Sequence, residues 1–310
     1  MKTNSIHAWW LAARPKTLTG AAAPVVVGGA MALAMGYSDQ LIPFLLCLLF
    51  AFLMQIDANF INDYFDFKKG TDREDRLGPE RACAQGWITP RAMQIGIAIT
   101  TALSCLVGLA ILLWNMQFEL IIVGILCVVF CFLYTTRLSY LGWGDVLVLV
   151  FFGLVPVVFT YYVMTNGDWN VPLIIAGLAM GFATDNLLMV NNYRDRNQDK
   201  ISGKRTIIVR TIDRQIKRQG NQEGQQKGEQ ICRAYYLWIG VVATLLAFTS
   251  LFLFPQSSFH YPLLLIYLIL HIRASRQLKT LDGKALNSLL GITARNIFLF
   301  GILFAVSAFL

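Results

Sequence analysis

The sequence predicts an all-α membrane protein with nine transmembrane helices and a cytoplasmic N-terminus. Three observations carry that expectation. The 310 residues are 56% hydrophobic and only 14% charged, with a mean hydropathy of +0.56. An average soluble domain is about 45–50% apolar and about 25% charged, so this chain has too little polar surface to coat a globule. Apolar runs of spanning length recur from end to end, near 17–36, 40–62, 90–113, 117–135, 145–164, 171–192, 233–254, 260–278 and 286–310. Finally, 25 of the 26 Lys and Arg fall in the N-terminal segment or at the even-numbered connections, Arg295 being the exception. Such a bias marks one membrane face as cytoplasmic. The net charge of +8 is therefore read as a topology signal, and no nucleic-acid partner is expected.

The elements follow in order. The first run comes after a long polar start and blends into Gly/Ala-rich helix, so it reads as a retained span rather than a cleaved signal. Its Gly20-Ala21-Ala22-Ala23 and Gly28-Gly29 stretches, like Gly177-x-x-x-Gly181 in the sixth run, are small-residue faces for close helix contact. Cys127 and Cys131 stand one turn apart but lack a second pair, so the six cysteines read as packing residues. Segment 214–230 (RQIKRQGNQEGQQKGEQ) is rich in Gln and Gly without an apolar face, and is expected to be a disordered cytoplasmic insert. Asp57, Asp185 and Arg295 stand inside spans, where an ionisable side chain points to function. No partner for them is legible. The whole of 1–310 reads as one domain.

Two even-numbered connections hold most of the chemistry. The first opens with Asn59, Asn62, Asp63 and Asp66, then Asp72, Glu74 and Asp75; the second with Asn191, Asn192, Arg194, Asp195 and Asp199. If the helices continue, Asn59, Asn62/Asp63 and Asp66 share one face, as do Asn191, Asp195 and Asp199. Like charges at that spacing repel, so a cation should offset them. Hard oxygen donors on two facing helices suit Mg²⁺, which is usually shared with substrate phosphates. Lys68, Lys69, Arg73, Arg194, Lys200, Lys204 and Arg205 would surround such a phosphate with positive charge. Asp66 and Asp195 each follow the second helix of a four-helix block. The chain is thus expected to form two pseudo-repeated four-helix blocks plus a final helix, with the two acidic ends meeting across one cavity.

At these motifs the chain resembles the UbiA-type intramembrane prenyltransferases. The resemblance rests on NFINDYFDFKKGTDREDRLGPERACAQGWIT (59–89) and NNYRDRNQDKISGKRTIIVR (191–210). WWLAARPKTLTGAAAPVVVG (9–28) and YLGWGD (140–145) add to it. It is most similar to the branch that prenylates 1,4-dihydroxy-2-naphthoate in menaquinone synthesis. One departure is that the general pattern NDxxDxxxD reads NDxxDx₅D here, ending at Asp72.

The resemblance implies a polyprenyl diphosphate bound through Mg²⁺, with a metal set of Asn59, Asn62, Asp63, Asp66, Asp72, Asn191, Asp195 and Asp199. Asp63, Asp66, Asp195 and Asp199 would be catalytic. Arg137, Tyr134, Lys204, Arg194, Arg14, Lys16 and Asp145 would bind the substrates. It also implies a bacterial inner membrane with the site on the cytoplasmic side. Two alternatives stay open: a related transferase acting on 4-hydroxybenzoate or another aromatic acceptor, and a membrane transporter.

Overall fold

Proline and short polar side chains set the helix starts. Thr89 accepts the Ala92 N–H ahead of Pro90, Asn170 accepts the Leu173 N–H ahead of Pro172, and Thr206 accepts the Val209 N–H. Each satisfies one amide that a helix N-terminus leaves unbonded. The structure, a computed structural model, describes residues 2–70, 76–255 and 261–310. Among these residues the regular structure is all helical.

A short helix α1 (Ile6–Ala13) precedes α2 (Pro15–Ala34), and Arg14 joins them with a left-handed φ of 52°. Then come α3 (Leu41–Lys68), α4 (Pro90–Asn115) and α5 (Leu120–Leu133), the last prolonged by a π-helical turn over Tyr134–Leu138. Helices α6 (Gly144–Leu149) and α7 (Val155–Met164) run through a second π-turn, Val150–Leu154, as one span. Helix α8 (Val171–Arg194) leads to short α9 (Arg196–Ile201), then α10 (Ile207–Gln219), α11 (Asn221–Leu253), α12 (Leu264–Leu278) and α13 (Leu286–Phe309).

Helix α8 is the hub, packed against α11, α13 and the α6–α7 span, while α2 packs on α13 and α7. Its Ala176, Ala179, Met180 and Ala183 are fully buried with Ala23, Val27, Tyr161, Ala243 and Phe300. The small-residue face behaves as its sequence requires: a Cβ on Gly181 would lie 2.8 Å from the Leu149 carbonyl oxygen, and one on Gly153 2.6 Å from the Gly181 backbone. Outward positions such as Leu106, Ile122, Leu245 and Phe252 stay exposed. In a bilayer those side chains meet lipid while the helices satisfy their own amides.

Two expectations change, and a third is met in part. Among the described residues eight helices are long and apolar enough to cross a membrane, and the run at 260–278 yields α12, of 15 residues. Segment 214–230 is not disordered: apart from Gly220 it lies within α10 and α11. The apolar face it lacks is supplied by glycine. A Cβ on Gly224 would meet Ile216 Cα at 2.4 Å and one on Gly228 would meet Ile212 Cα at 2.7 Å, so α10 and α11 touch backbone to backbone. Finally, α8 stops before Asp195, whose ψ of 5° redirects the chain into α9. Asn191, Asp195 and Asp199 therefore do not share one continuous helix.

Candidate active site

Because α3 continues as helix to Lys68, the first motif is displayed on rigid backbone, but its side chains divide between two jobs. Asn59 turns towards the α1–α2 joint, its amide donating to the Ala13 carbonyl at 2.9 Å and to Thr17 Oγ1 at 3.0 Å. The buried Asp63 carboxylate accepts the backbone N–H of Ala82 and of Cys83, each at 2.9 Å. Asn62 and Asp66 face a cavity instead. Asn62 Oδ1 accepts the Thr135 hydroxyl, and Asp66 accepts from Arg81 at 3.0 Å. Asp72 lies outside the described residues.

That cavity, of about 100 Å³, opens between the ends of α3, α5, α6 and α8. Asn62, Asp66, Asp145, Asn191 and Asn192 contribute oxygen donors to its wall, and Arg81 and Lys204 contribute cations. Tyr134, Thr135, Ser139 and Thr206 complete the polar lining. Beside it the Tyr140 ring is flanked by two ammonium groups, Lys69 at 3.9 Å and Lys204 at 5.3 Å from its centroid. Lys69 also donates to the Thr135 and Thr136 carbonyls, which fixes its position, and burial holds its pKa below the usual lysine value.

The second motif is arranged differently from the first. Arg194 is 2% exposed and binds its chain neighbour Asp195 through both Nε (2.7 Å) and Nη2 (2.6 Å). It also donates to Asn191 and to Asn287 of α13, both at 2.8 Å. So its guanidinium does not line the cavity, as a diphosphate ligand would; it clamps α8 to α13. Asp199 is buried at the start of α9, with Lys204 Nζ 3.8 Å away. Burial raises its carboxyl to about 6, against the pull of Lys204 and with a further push from Asp195.

The remaining expected residues are scattered. Tyr134, Lys204 and Asp145 line the cavity. Arg137 is exposed on the π-turn after α5, and Lys16 is exposed in the first turn of α2. Neither lines the cavity, nor does Arg14 at the α1–α2 joint. Asp57 has a partner after all: it accepts the Thr100 and Thr101 hydroxyls at 2.6 and 2.7 Å, tying α3 to α4. Asp185 is fully buried and lies close enough to Asp145 for the two carboxylates to act on each other, with the Tyr235 hydroxyl beside it. The antiparallel run of α6 against α8 explains this, since Gly144 meets Leu188 and Gly181 meets Leu149.

Two features were not legible in the motifs. Arg81 comes 15 positions after Asp66, with no helical relation to it, and only the long-range turn at 82–83 brings it back. The loop that carries it also reaches the second motif. A Cβ on Gly78 would lie 2.7 Å from Arg194, and Asn287 donates to the Leu77 carbonyl at 2.8 Å.

A hard divalent cation fits the donor chemistry: carboxylate and amide oxygens from α3 and α8 line one cavity beside cations suited to a phosphate. Among the described residues no three His, Cys, Asp or Glu side chains already converge on one point. The donors therefore resemble a set completed by substrate oxygens rather than a closed protein cage.

An all-helical bundle with eight helices long and apolar enough to cross a membrane among the described residues, and one polar cavity at the helix ends, has the architecture of a multi-pass membrane protein. The chain belongs to the UbiA prenyltransferase family, whose model matches residues 21–302. It is 38% identical over 213 residues to the 1,4-dihydroxy-2-naphthoate octaprenyltransferase of Escherichia coli K12, covering 66% of this chain and 68% of that one. Against the enzyme of the same name from Haemophilus influenzae it is 36% identical over 221 residues, 68% and 71% of the two chains. Its fold is shared with a structure described as digeranylgeranylglyceryl phosphate synthase (TM-score 0.61, 18% identity, 98% of each chain). It is also shared with a UbiA homolog from Archaeoglobus fulgidus bound to DMAPP and Mg²⁺ (TM-score 0.60, 16% identity, 96% and 99%).

Proposed function

We propose that this chain transfers a polyprenyl group from polyprenyl diphosphate to 1,4-dihydroxy-2-naphthoate, releasing diphosphate and CO₂ and forming demethylmenaquinol for menaquinone biosynthesis. The observation that carries the reading is the shared cavity, in which Asn62 and Asp66 of α3 stand with Asn191 and Asn192 of α8, flanked by Arg81 and Lys204. The acceptor is taken from the names of relatives that are 36–38% identical.

In this reading Asn62, Asp66, Asn191 and Asp199 would hold Mg²⁺ together with Asp195; Asp72, the remaining carboxylate of the first motif, lies outside the described residues. Mg²⁺ bound there supplies Lewis-acid charge that stabilises the departing diphosphate. Lys204 and Arg81 donate to diphosphate oxygens, which lowers the cost of the charge that builds as the allylic C–O bond breaks. Tyr134, on the cavity wall, offers a π-face to the electron-poor allyl fragment, while the Tyr140 ring holds Lys69 and Lys204 beside it. Asp145 orients the acceptor's hydroxyl. The electron-rich ring carbon then takes the prenyl carbon, and the carboxylate on that carbon leaves as CO₂.

The basic residues of the even-numbered connections support a cytoplasmic N-terminus and a site at the cytoplasmic face of a bacterial inner membrane. A ninth span that includes α12 would keep that alternation. The repeated Asn/Asp ends of α3 and α8 support the two-block reading.

The test is a mass-spectrometric product assay on purified protein with a polyprenyl diphosphate, Mg²⁺ or EDTA, and either 1,4-dihydroxy-2-naphthoate or 4-hydroxybenzoate. A prenylated naphthoquinol without the carboxylate, formed only with metal, is the expected product. Product from 4-hydroxybenzoate alone would overturn the acceptor assignment and keep the transfer.

A further inference from the structure

Among the described residues, three motif carboxylates carry a cation of the chain's own. Arg81 sits on Asp66 at 3.0 Å, Arg194 on Asp195 at 2.6 Å, and Lys204 lies 3.8 Å from Asp199. These three pairs are not equivalent. Arg194 is held by four hydrogen bonds to three residues and lies outside the cavity wall, so its release would unclamp α8 from α13. Lys204 keeps a long, weak contact. Arg81 alone combines a close ion pair, burial of both partners (side chains 8% and 10% exposed) and a place on the cavity wall.

The backbone explains why Arg81 is there. Asp63 binds the amides of Ala82 and Cys83, the two residues that follow it, and so pins the turn to α3 three residues before Asp66. The first motif thus holds one carboxylate that fixes the loop and a second that receives the loop's guanidinium. A bare divalent ion reaching Asp66 would have to displace a buried guanidinium and leave it without that anion, which is strongly unfavourable. A diphosphate arriving with the ion removes the obstacle, because planar guanidinium pairs with phosphate oxygens as well as with carboxylate.

We propose that Arg81 is an exchangeable counter-cation, held on Asp66 until a metal–diphosphate complex enters, whereupon it passes to the diphosphate and frees Asp66 for the metal. Asp63 is its positioning residue. The inference rests on the metal–diphosphate reading of the cavity and adds a binding order: the ion enters with the diphosphate rather than before it.

The experiment measures Mn²⁺ binding by electron paramagnetic resonance on detergent-purified protein, with and without inorganic pyrophosphate. Wild type should bind Mn²⁺ weakly alone and more tightly with pyrophosphate. Arg81→Gln should shift the two affinities in opposite directions, Mn²⁺ alone about 10-fold tighter and Mn²⁺ with pyrophosphate about 10-fold weaker, so that the enhancement shrinks about 100-fold, a coupling within the ordinary range. Asp63→Asn, which keeps the arginine but weakens its anchorage, should move both the same way by less, and Arg81→Lys should fall between Arg81→Gln and wild type. A merely structural arginine would loosen both affinities together, and that result, or no change in Mn²⁺ binding alone, overturns the proposal. If wild type binds no Mn²⁺ even with pyrophosphate, the metal–diphosphate reading fails first and this inference with it.

Discussion

The Asp63 carboxylate accepts the Ala82 amide at 2.9 Å from 19 residues away, and this one contact divides the first acidic motif into a structural and a chemical half. A buried carboxylate that takes two backbone N–H groups is a fastener, since its loss leaves both amides without a partner. Asp63→Ala is therefore expected to cost about 3 kcal/mol, summing two charge-assisted bonds of about 1.5 kcal/mol each. Thermal unfolding in detergent reads the loss, and limited proteolysis should show new cleavage between residues 76 and 89. An unchanged melting temperature would return Asp63 to the metal set.

Asp199 gives a pH dependence whose sign is fixed by burial. Its carboxyl stands at about 6 in the metal-free protein, above the ordinary value near 3.9. The fold therefore binds this proton more tightly than the unfolded chain does, and the metal-free protein gains stability as pH falls from about 6 towards 4. A metal needs the carboxylate, so proton and ion compete. Mn²⁺ affinity measured with pyrophosphate should fall by up to about 10-fold per pH unit below 6 beyond whatever an Asp199→Asn variant shows. Parallel curves for the two proteins would remove Asp199 from the metal set.

Arg196 anchors the far side of the second motif. It is 6% exposed and binds Glu229 of α11 at 3.2 Å, Asp282 at 2.9 Å and the Tyr193 carbonyl at 2.8 Å. Removing one partner of a buried pair strands the other, at about 3–5 kcal/mol. Arg196→Met should lower stability by roughly the low end of that range, about 3 kcal/mol, because Asp282 is largely exposed and Glu229 keeps Arg233 at 3.4 Å. A Glu229→Gln partner variant closes the cycle: if the double variant loses the sum of the single losses, the two side chains are not coupled.

How much of this was legible in the sequence depends on distance along the chain. Runs of apolar residues and the alternation of basic connections report on local composition, and they placed the helices from α2 to α8 within a few residues. Asn62 and Asp66 face the cavity because both sit on one helix whose period the sequence displays. Asn59 and Asp63 share that period, yet they bind the α1–α2 joint and the turn at 82–83, contacts set by segments 42 and more or 19 positions away. Helical spacing assigns a side chain to a face without saying what covers that face. The short helix α1 escaped notice for a related reason: eight residues headed by Ser5 are too few to show a spanning pattern. The pairing of Asp185 with Asp145 required the antiparallel course of α6 on α8, which spacing within either segment does not encode.

Composition failed outright at 214–230, and the failure carries a prediction of its own. Gln- and Gly-rich polar sequence ordinarily resists folding because it has nothing apolar to bury. Here Gly224 and Gly228 give up side chains so that α11 can lie directly on Ile216 and Ile212 of α10, and Ile208 and Ile212 join Cys232 and Tyr236 in a buried cluster. The segment also contains Glu229, the acceptor for Arg196 and Arg233. Deleting 214–230 would remove that acceptor and the α10–α11 contact together, so the variant is expected to be poorly folded rather than silent. Gly228→Leu isolates the packing term, since its side chain must enter at 2.7 Å from the Ile212 backbone; overpacking of this kind costs about 1–3 kcal/mol. Size-exclusion profiles and melting curves in detergent separate the cases. A deletion variant that stays monodisperse and melts with wild type would mean that the helical pair contributes nothing to the fold.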